Sequence, residues 1–278
     1  MRPKSKNSTR ATVPEAAEPL MRLFDSHSHI NAEDFDADRD AVLERMRAAG
    51  LQGAVVVACD YGEEDKLLKV LDMAPGYLFG AWALHPEYED RRECSVEEIA
   101  AVCADPRIRA VGETGLDYHW CKGDLSWQKD RFARHIEAAK ILGKPLIVHA
   151  REAEADALDI LAAHDAGSVG FVMHCFGGAL SEAKRTLDLG GLVSFTGVLT
   201  FKNAAALREV AAALPLDALM IETDCPYMAP VPYRGKRCEP AHVAEVARAL
   251  AAVQGVDCEL AAAVTTDTAK KFFGIESL

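Results

Sequence analysis

Five of the nine histidines in this chain, and two of its carboxylates, stand where metal ions could be held. His27 and His29 lie two residues apart in Phe24-Asp25-Ser26-His27-Ser28-His29. His85 follows the apolar run Leu78–Ala83, His149 follows Leu146–Val148 and His174 follows Gly170–Met173. Glu113 closes Ile108–Gly112, and Asp224 comes just after Leu219–Ile221. In extended backbone, residues i and i+2 point to one side, so His27 and His29 can converge on one ion. The remaining histidines, His119, His135, His164 and His242, fall in helical or irregular stretches.

The set His27, His29, Glu113, His149, His174 and Asp224 suits two divalent ions. A carboxylate has two oxygens, so Glu113 can bridge a pair. Bridged ions about 3.5–4 Å apart activate water and clamp a phosphodiester during in-line attack. Asp224 can ligate one ion and accept the proton of the attacking water. Mixed imidazole and carboxylate ligands accept Zn, Mn, Mg or Fe, so the identity of the ions stays open. No G-x-S-x-G nucleophile elbow competes with this reading.

Such groups need elements that bring them to one rim. The eight apolar runs Leu23-Phe24, Ala54–Ala58, Leu78–Ala83, Ile108–Gly112, Leu146–Val148, Gly170–Met173, Leu192–Phe195 and Leu219–Ile221 read as strands. Helical patterns separate nearly all of them, as in Asp38–Ala49, Leu125–Leu142 and Asn203–Leu214. Two further helices, near His242–Val253 and Leu260–Phe273, follow the last strand. Strict alternation predicts a parallel sheet, and eight repeats predict a closed (β/α)₈ TIM barrel, an α/β fold in a single domain over 21–278 with extra C-terminal helices. An open doubly wound sheet would have fewer strands, and no G-x-G-x-x-G follows the first run.

The formal net charge of −12 disfavours non-specific wrapping of duplex DNA, so a phosphate-bearing substrate needs a local attraction. Eight cysteines without C-x-x-C spacing read as reduced, mostly buried thiols and point to a cytoplasmic setting. No apolar stretch approaches the roughly 20 residues of a membrane span. Residues 1–20, rich in Pro, Ser, Ala and Glu, read as a disordered extension without a signal-peptide core. Met21 is then either the translation start or the first ordered residue after a genuine arm.

The motifs together resemble the TatD family of metal-dependent deoxyribonucleases, within the amidohydrolase-like barrel superfamily. They are Phe24–His29, Gly112-Glu113-Thr114-Gly115-Leu116-Asp117-Tyr118, Pro145–Arg151, His174-Cys175-Phe176-Gly177-Gly178, Glu222-Thr223-Asp224-Cys225-Pro226-Tyr227 and Pro232–Arg237. The resemblance covers Met21 to Phe273. It implies a barrel, divalent metals and hydrolysis of DNA phosphodiesters, often 3′-to-5′ on single strands. It implies the same six ligands, with Arg151 facing the substrate phosphate and His85 touching substrate or water. Cys238, Asn31 and Ala83-Leu84 depart from the family's usual asparagine, aspartate and glycine. The run Arg234, Lys236 and Arg237 is expected to supply the local positive patch. Tyr118, Trp120, Phe176 and Tyr227 are aromatics near the rim on which bases could stack.

Three functions compete on these residues. The first is a nuclease on single-stranded DNA or another phosphodiester. The second is a hydrolase of another ester or amide, such as a mischarged aminoacyl-tRNA. Many amidohydrolases of that branch carry a carboxylated lysine where Glu113 stands, which favours the first. The third is a non-catalytic scaffold stapled by metal, which has no need of open coordination sites. The sequence points to no membrane attachment and no obligate protein partner.

Overall fold

The computed structural model describes residues 21–275, so the extension expected over 1–20 lies outside the described residues. Eight parallel strands follow one another around the sheet in chain order. They are β1 (Leu23–Ser28), β2 (Leu51–Ala58), β3 (Leu78–Trp82), β4 (Ile108–Asp117), β5 (Leu146–Arg151), β6 (Phe171–Met173), β7 (Leu192–Phe195) and β8 (Leu219–Ile221). Just beyond the strand ends, the His29 N–H donates to the Cys225 carbonyl at 2.8 Å and the Asp224 N–H to the His27 carbonyl at 3.0 Å. These bonds draw the first and last strands together at the carboxyl rim.

Helices α1 (Arg39–Ala48), α2 (Glu64–Asp72), α3 (Val96–Cys103), α4 (Ser126–Leu142), α5 (Glu154–Ala163), α6 (Leu180–Asp188) and α7 (Ala205–Ala213) connect successive strands. After β8 come α8 (Val243–Gln254) and α9 (Cys258–Phe272). Gly143 ends α4 and Gly255 ends α8 at positive φ, 62° and 67°, the left-handed conformation that glycine adopts without a Cβ penalty.

The strands are apolar on both faces because both are buried. One set, with Val56, Trp82, Val148 and Phe195, packs outward against the helices. The alternate set, with Phe24, Val55, Phe79, Ile147, Val172 and Met220, fills the barrel interior. Helix α9 covers the amino end. Thr266 bonds to the Arg22 carbonyl and Lys270 to Gln52, while Phe273 and Ile275 join the interior cluster. With that end plugged, the carboxyl rim is the open one.

Several strands run further than their apolar runs suggested. Ile108–Gly112 extends to Asp117 and Leu146–Val148 to Arg151. Glu113 therefore lies inside β4 and His149 inside β5, rather than past their ends. The strands continue through polar residues because buried partners on neighbouring elements satisfy them. Asp224 lies three residues beyond β8, in the left-handed region at φ 53°. A non-glycine residue held there is a locally strained position of the kind found at functional sites.

Candidate metal centre

The structure brings His27, His29, Glu113, His149, His174 and Asp224 to one place on the carboxyl rim. Glu113 is the hub, and its two oxygens divide the site. Oε2 lies 3.3 Å from His27 Nε2 and 3.7 Å from His29 Nε2. Oε1 lies 2.6 Å from His174 Nε2, 2.8 Å from His149 Nδ1 and 3.2 Å from His85 Nε2. Asp224 belongs to the first half, with Oδ1 3.5 Å from His29 Nε2 and 3.8 Å from His27 Nε2. The halves abut, since the His27 and His174 rings stack at 4.1 Å.

Partners behind the imidazoles fix which nitrogen faces inward. His29 Nδ1 lies 3.0 Å from the Val57 carbonyl, which can only accept, so Nε2 turns to the centre. His149 Nε2 bonds to Asp117 Oδ2 at 2.9 Å, leaving Nδ1 for Glu113. His174 Nδ1 faces Glu222 Oε1 at 3.3 Å, leaving Nε2 inward. His85 differs. Its Nδ1 accepts the Glu87 N–H at 3.2 Å, so Nε2 carries the proton and faces Glu113 as a donor.

Burial alone would push the Glu113 carboxyl up. His174 and His85, with hydrogen bonds from His149 and His174, hold it well below the usual carboxylate range. Burial likewise disfavours charge on His149, yet Asp117 and Glu113 raise it to about 9. His29 is raised well above an ordinary imidazole against its own burial, chiefly by Asp224. The carboxylates thus demand positive charge on this cluster. His27 and His29 also set two Nε2 atoms 3.1 Å apart, an arrangement that a cation between them relieves. The donor set fits divalent cations: His27, His29 and Asp224 form one group and His27, Glu113 and His174 another.

The centre opens into a cavity of about 950 Å³. His85 and Arg151 both line it. Arg234, Lys236 and Arg237 do not. Arg237 pairs with Asp38 at 2.8 Å and lies over Phe35, and Arg234 donates to the Ala229 carbonyl with its guanidinium 3.8 Å from the Phe201 ring centre. Of the four rim aromatics, Phe176 is buried against Phe195, and Tyr118 bonds to Asp156 outside the cavity. Trp120 and Tyr227 open into it.

The carboxylates behind the ligands escaped the sequence reading. Asp117 orients His149, and Glu222 orients His174 while accepting the Cys175 N–H at 2.6 Å. Asp25 ties β1 to the Asp224 turn by accepting the Thr223 N–H at 2.9 Å and its hydroxyl at 2.5 Å. Even offsets from recognised ligands, Glu113 to Asp117 and Glu222 to Asp224, were the available signal. Cys59, buried 3.8 Å from Glu113 Oε2, was also missed, and burial raises its thiol to about 11. All eight cysteines are free, six of them buried. Among the described residues no helix is long and apolar enough to cross a membrane.

A (β/α)₈ barrel carrying imidazoles gathered around one buried carboxylate at its open rim has the architecture of a metal-dependent hydrolase. Residues 24–274 match the family described as TatD related DNase, and the chain belongs to that family. It is 39% identical to YabD of Bacillus subtilis, described as an uncharacterized metal-dependent hydrolase, over 91% of this chain and 99% of that one. It is 30% identical to a 3'-5' ssDNA/RNA exonuclease TatD of Rahnella sp., over 92% and 99%. The solved structure of YJJV, a TatD homolog from Escherichia coli, superposes with a TM-score of 0.84 at 28% identity, covering 92% and 99%.

Proposed function

We propose that this protein hydrolyses phosphodiesters of single-stranded DNA from the 3′ end, using two divalent ions held by His27, His29, Glu113, His149, His174 and Asp224. The observation that carries the reading is the division of Glu113, with one oxygen toward each group of imidazoles. The Rahnella relative's description as a 3'-5' ssDNA/RNA exonuclease supports the substrate class. The absence of a lysine at the Glu113 position favours this over the amide-hydrolysing branch.

Bound ions would polarise the phosphodiester and make water more acidic. Asp224 is the base, with Oδ1 turned toward the first half of the site and its backbone locked by Asp25 and Thr223. His85 donates from Nε2 to an oxygen that gains charge during attack. Its loop is held from α4: the Arg131 guanidinium donates to the His85 carbonyl at 2.7 Å, and the Leu84 N–H to His135 Nε2 at 3.1 Å. Arg151 binds a phosphate at the mouth. Under this reading the protein works in the cytoplasm and needs no protein partner.

The test is incubation of the purified protein with end-labelled single-stranded DNA, with chelator and with added Mn, Mg or Zn. Metal-dependent shortening from the 3′ end is expected, alongside about two ions per chain by elemental analysis. A protein that takes up no metal and cuts no DNA sinks the reading.

A further inference from the structure

The cavity wall around the centre is acidic. Glu63, Glu87, Glu152 and Glu154 line it beside Glu113 and Asp224, and Arg151 is its only lysine or arginine among the described residues. Away from the ions held at the centre, such a wall cannot hold a run of phosphates, because counter-charges are few and the carboxylates repel them. Affinity for the nucleosides flanking the cleaved linkage must come from uncharged contacts.

Two aromatic side chains offer those contacts. Trp120 and Tyr227 line the cavity, each 62% exposed. Trp120 follows β4 and Tyr227 follows β8, four strands apart in a ring of eight, so their loops leave the rim on opposite sides of the ring. Each is anchored to the residue three positions earlier. The Trp120 N–H donates to Asp117 Oδ1 at 2.7 Å, and the Tyr227 N–H to the Asp224 carbonyl at 3.0 Å. Through its other oxygen Asp117 holds His149, so the indole and the centre share a support. The Arg151 guanidinium lies 5.5 Å from the Trp120 ring centre, and Tyr227 stands edge-on to His29 at 6.4 Å.

We propose that Trp120 and Tyr227 are two nucleobase subsites, one on each side of the cleaved phosphodiester, which restrict the substrate to unpaired nucleotides. The proposal rests on the nuclease reading and deepens it. A base inside a duplex is already stacked on both faces and paired, so only a splayed one reaches these rings. Every base has a π-face, so the subsites tolerate any sequence. With Arg151 the wall's only lysine or arginine among the described residues, few phosphates outside the centre are neutralised, and binding should depend weakly on salt.

The test uses metal-loaded enzyme, the variants Trp120→Ala and Tyr227→Ala, and three short single-stranded oligonucleotides. One is intact, one lacks the base 5′ of the cleaved linkage and one lacks the base 3′ of it. Each variant should raise KM for the intact strand about tenfold. That loss should shrink below about twofold on the strand lacking the base its ring would have stacked, a different strand for each variant. Trp120→Phe should restore KM in part. Binding of an uncleaved phosphorothioate-linked oligothymidylate should quench tryptophan fluorescence in the wild type and far less in Trp120→Phe, which keeps Trp82 and Trp127. Equal losses on all three strands, or unchanged quenching in Trp120→Phe, overturns the subsites while leaving the nuclease reading standing. A wild type that cuts none of the strands overturns both.

Discussion

His149 and Asp117 are joined by a 2.9 Å hydrogen bond from the imidazole Nε2 to Oδ2, and this bond turns Nδ1 toward Glu113. Burial disfavours the Asp117 carboxylate, but His149 and the N–H groups of Trp120 and His119 hold it at about 2. Asp117→Asn keeps the shape and removes the charge. It should weaken binding of one ion by about 10- to 100-fold, the usual cost of losing a carboxylate behind a metal-binding histidine. Calorimetric titration with Mn or Zn reads this directly, and unchanged affinity at both sites would remove Asp117 from the centre.

Asp224 and Glu113 should separate as base and bridge. Asp224→Asn preserves size and one ligating oxygen but loses basicity. It should retain much of its metal and DNA affinity while turnover drops by about 10²-fold or more. Glu113 touches both halves of the site, so Glu113→Gln should lose metal together with activity and recover partly in excess Mn. Metal stoichiometry, DNA affinity and cleavage rate measured on both variants decide it. Near-normal cleavage by Asp224→Asn would mean that another group takes the proton.

The basic loop and Arg151 should behave differently. Arg237 is committed to Asp38, whose carboxyl it draws down to about 2, and Arg234 to Phe201 and the Ala229 carbonyl. Arg237→Ala is expected to cost about 1 kcal/mol, a drop of about 2 °C in Tm, with a modest rise in KM for DNA. Arg151→Ala should raise KM severalfold and leave Tm unchanged. Thermal scans beside steady-state kinetics check both. A large salt-sensitive loss of DNA binding in Arg237→Ala would restore the loop as the positive patch.

His135 should make stability fall on acidification. It is fully buried, accepts the Leu84 N–H on Nε2 and donates from Nδ1 to the Arg131 carbonyl, and burial drives it down to about 4. The unfolded chain takes up a proton at an ordinary 6.5, while the folded chain resists until about 4. Stability is therefore full above 6.5 and declines as pH falls toward 4, by on the order of 3 kcal/mol. Urea unfolding at several pH values should show a shallower decline for His135→Gln, whose amide oxygen can still accept the Leu84 N–H. Parallel curves would assign the acid sensitivity elsewhere.

The alternation of apolar runs with helical stretches was enough to read a barrel, because strands buried on both faces are written as short continuous runs of Val, Ile, Leu and Phe. The six candidate ligands were legible for a related reason. A histidine or acid immediately after such a run has one place to go, the rim where parallel strands end. What tertiary structure alone decided is how far the strands continue and what stands behind each ligand. Glu113 and His149 are inside strands because Asp117, His85 and their neighbours satisfy their polar groups. Asp117, Glu222 and Asp25 act through hydrogen bonds of fixed direction, which no spacing rule reports. Whether a charge is free is likewise decided across the fold. Arg237 reads as available until Asp38, 199 residues earlier, is found 2.8 Å away. Trp120 and Phe176 read alike until packing buries one and leaves the other facing the cavity.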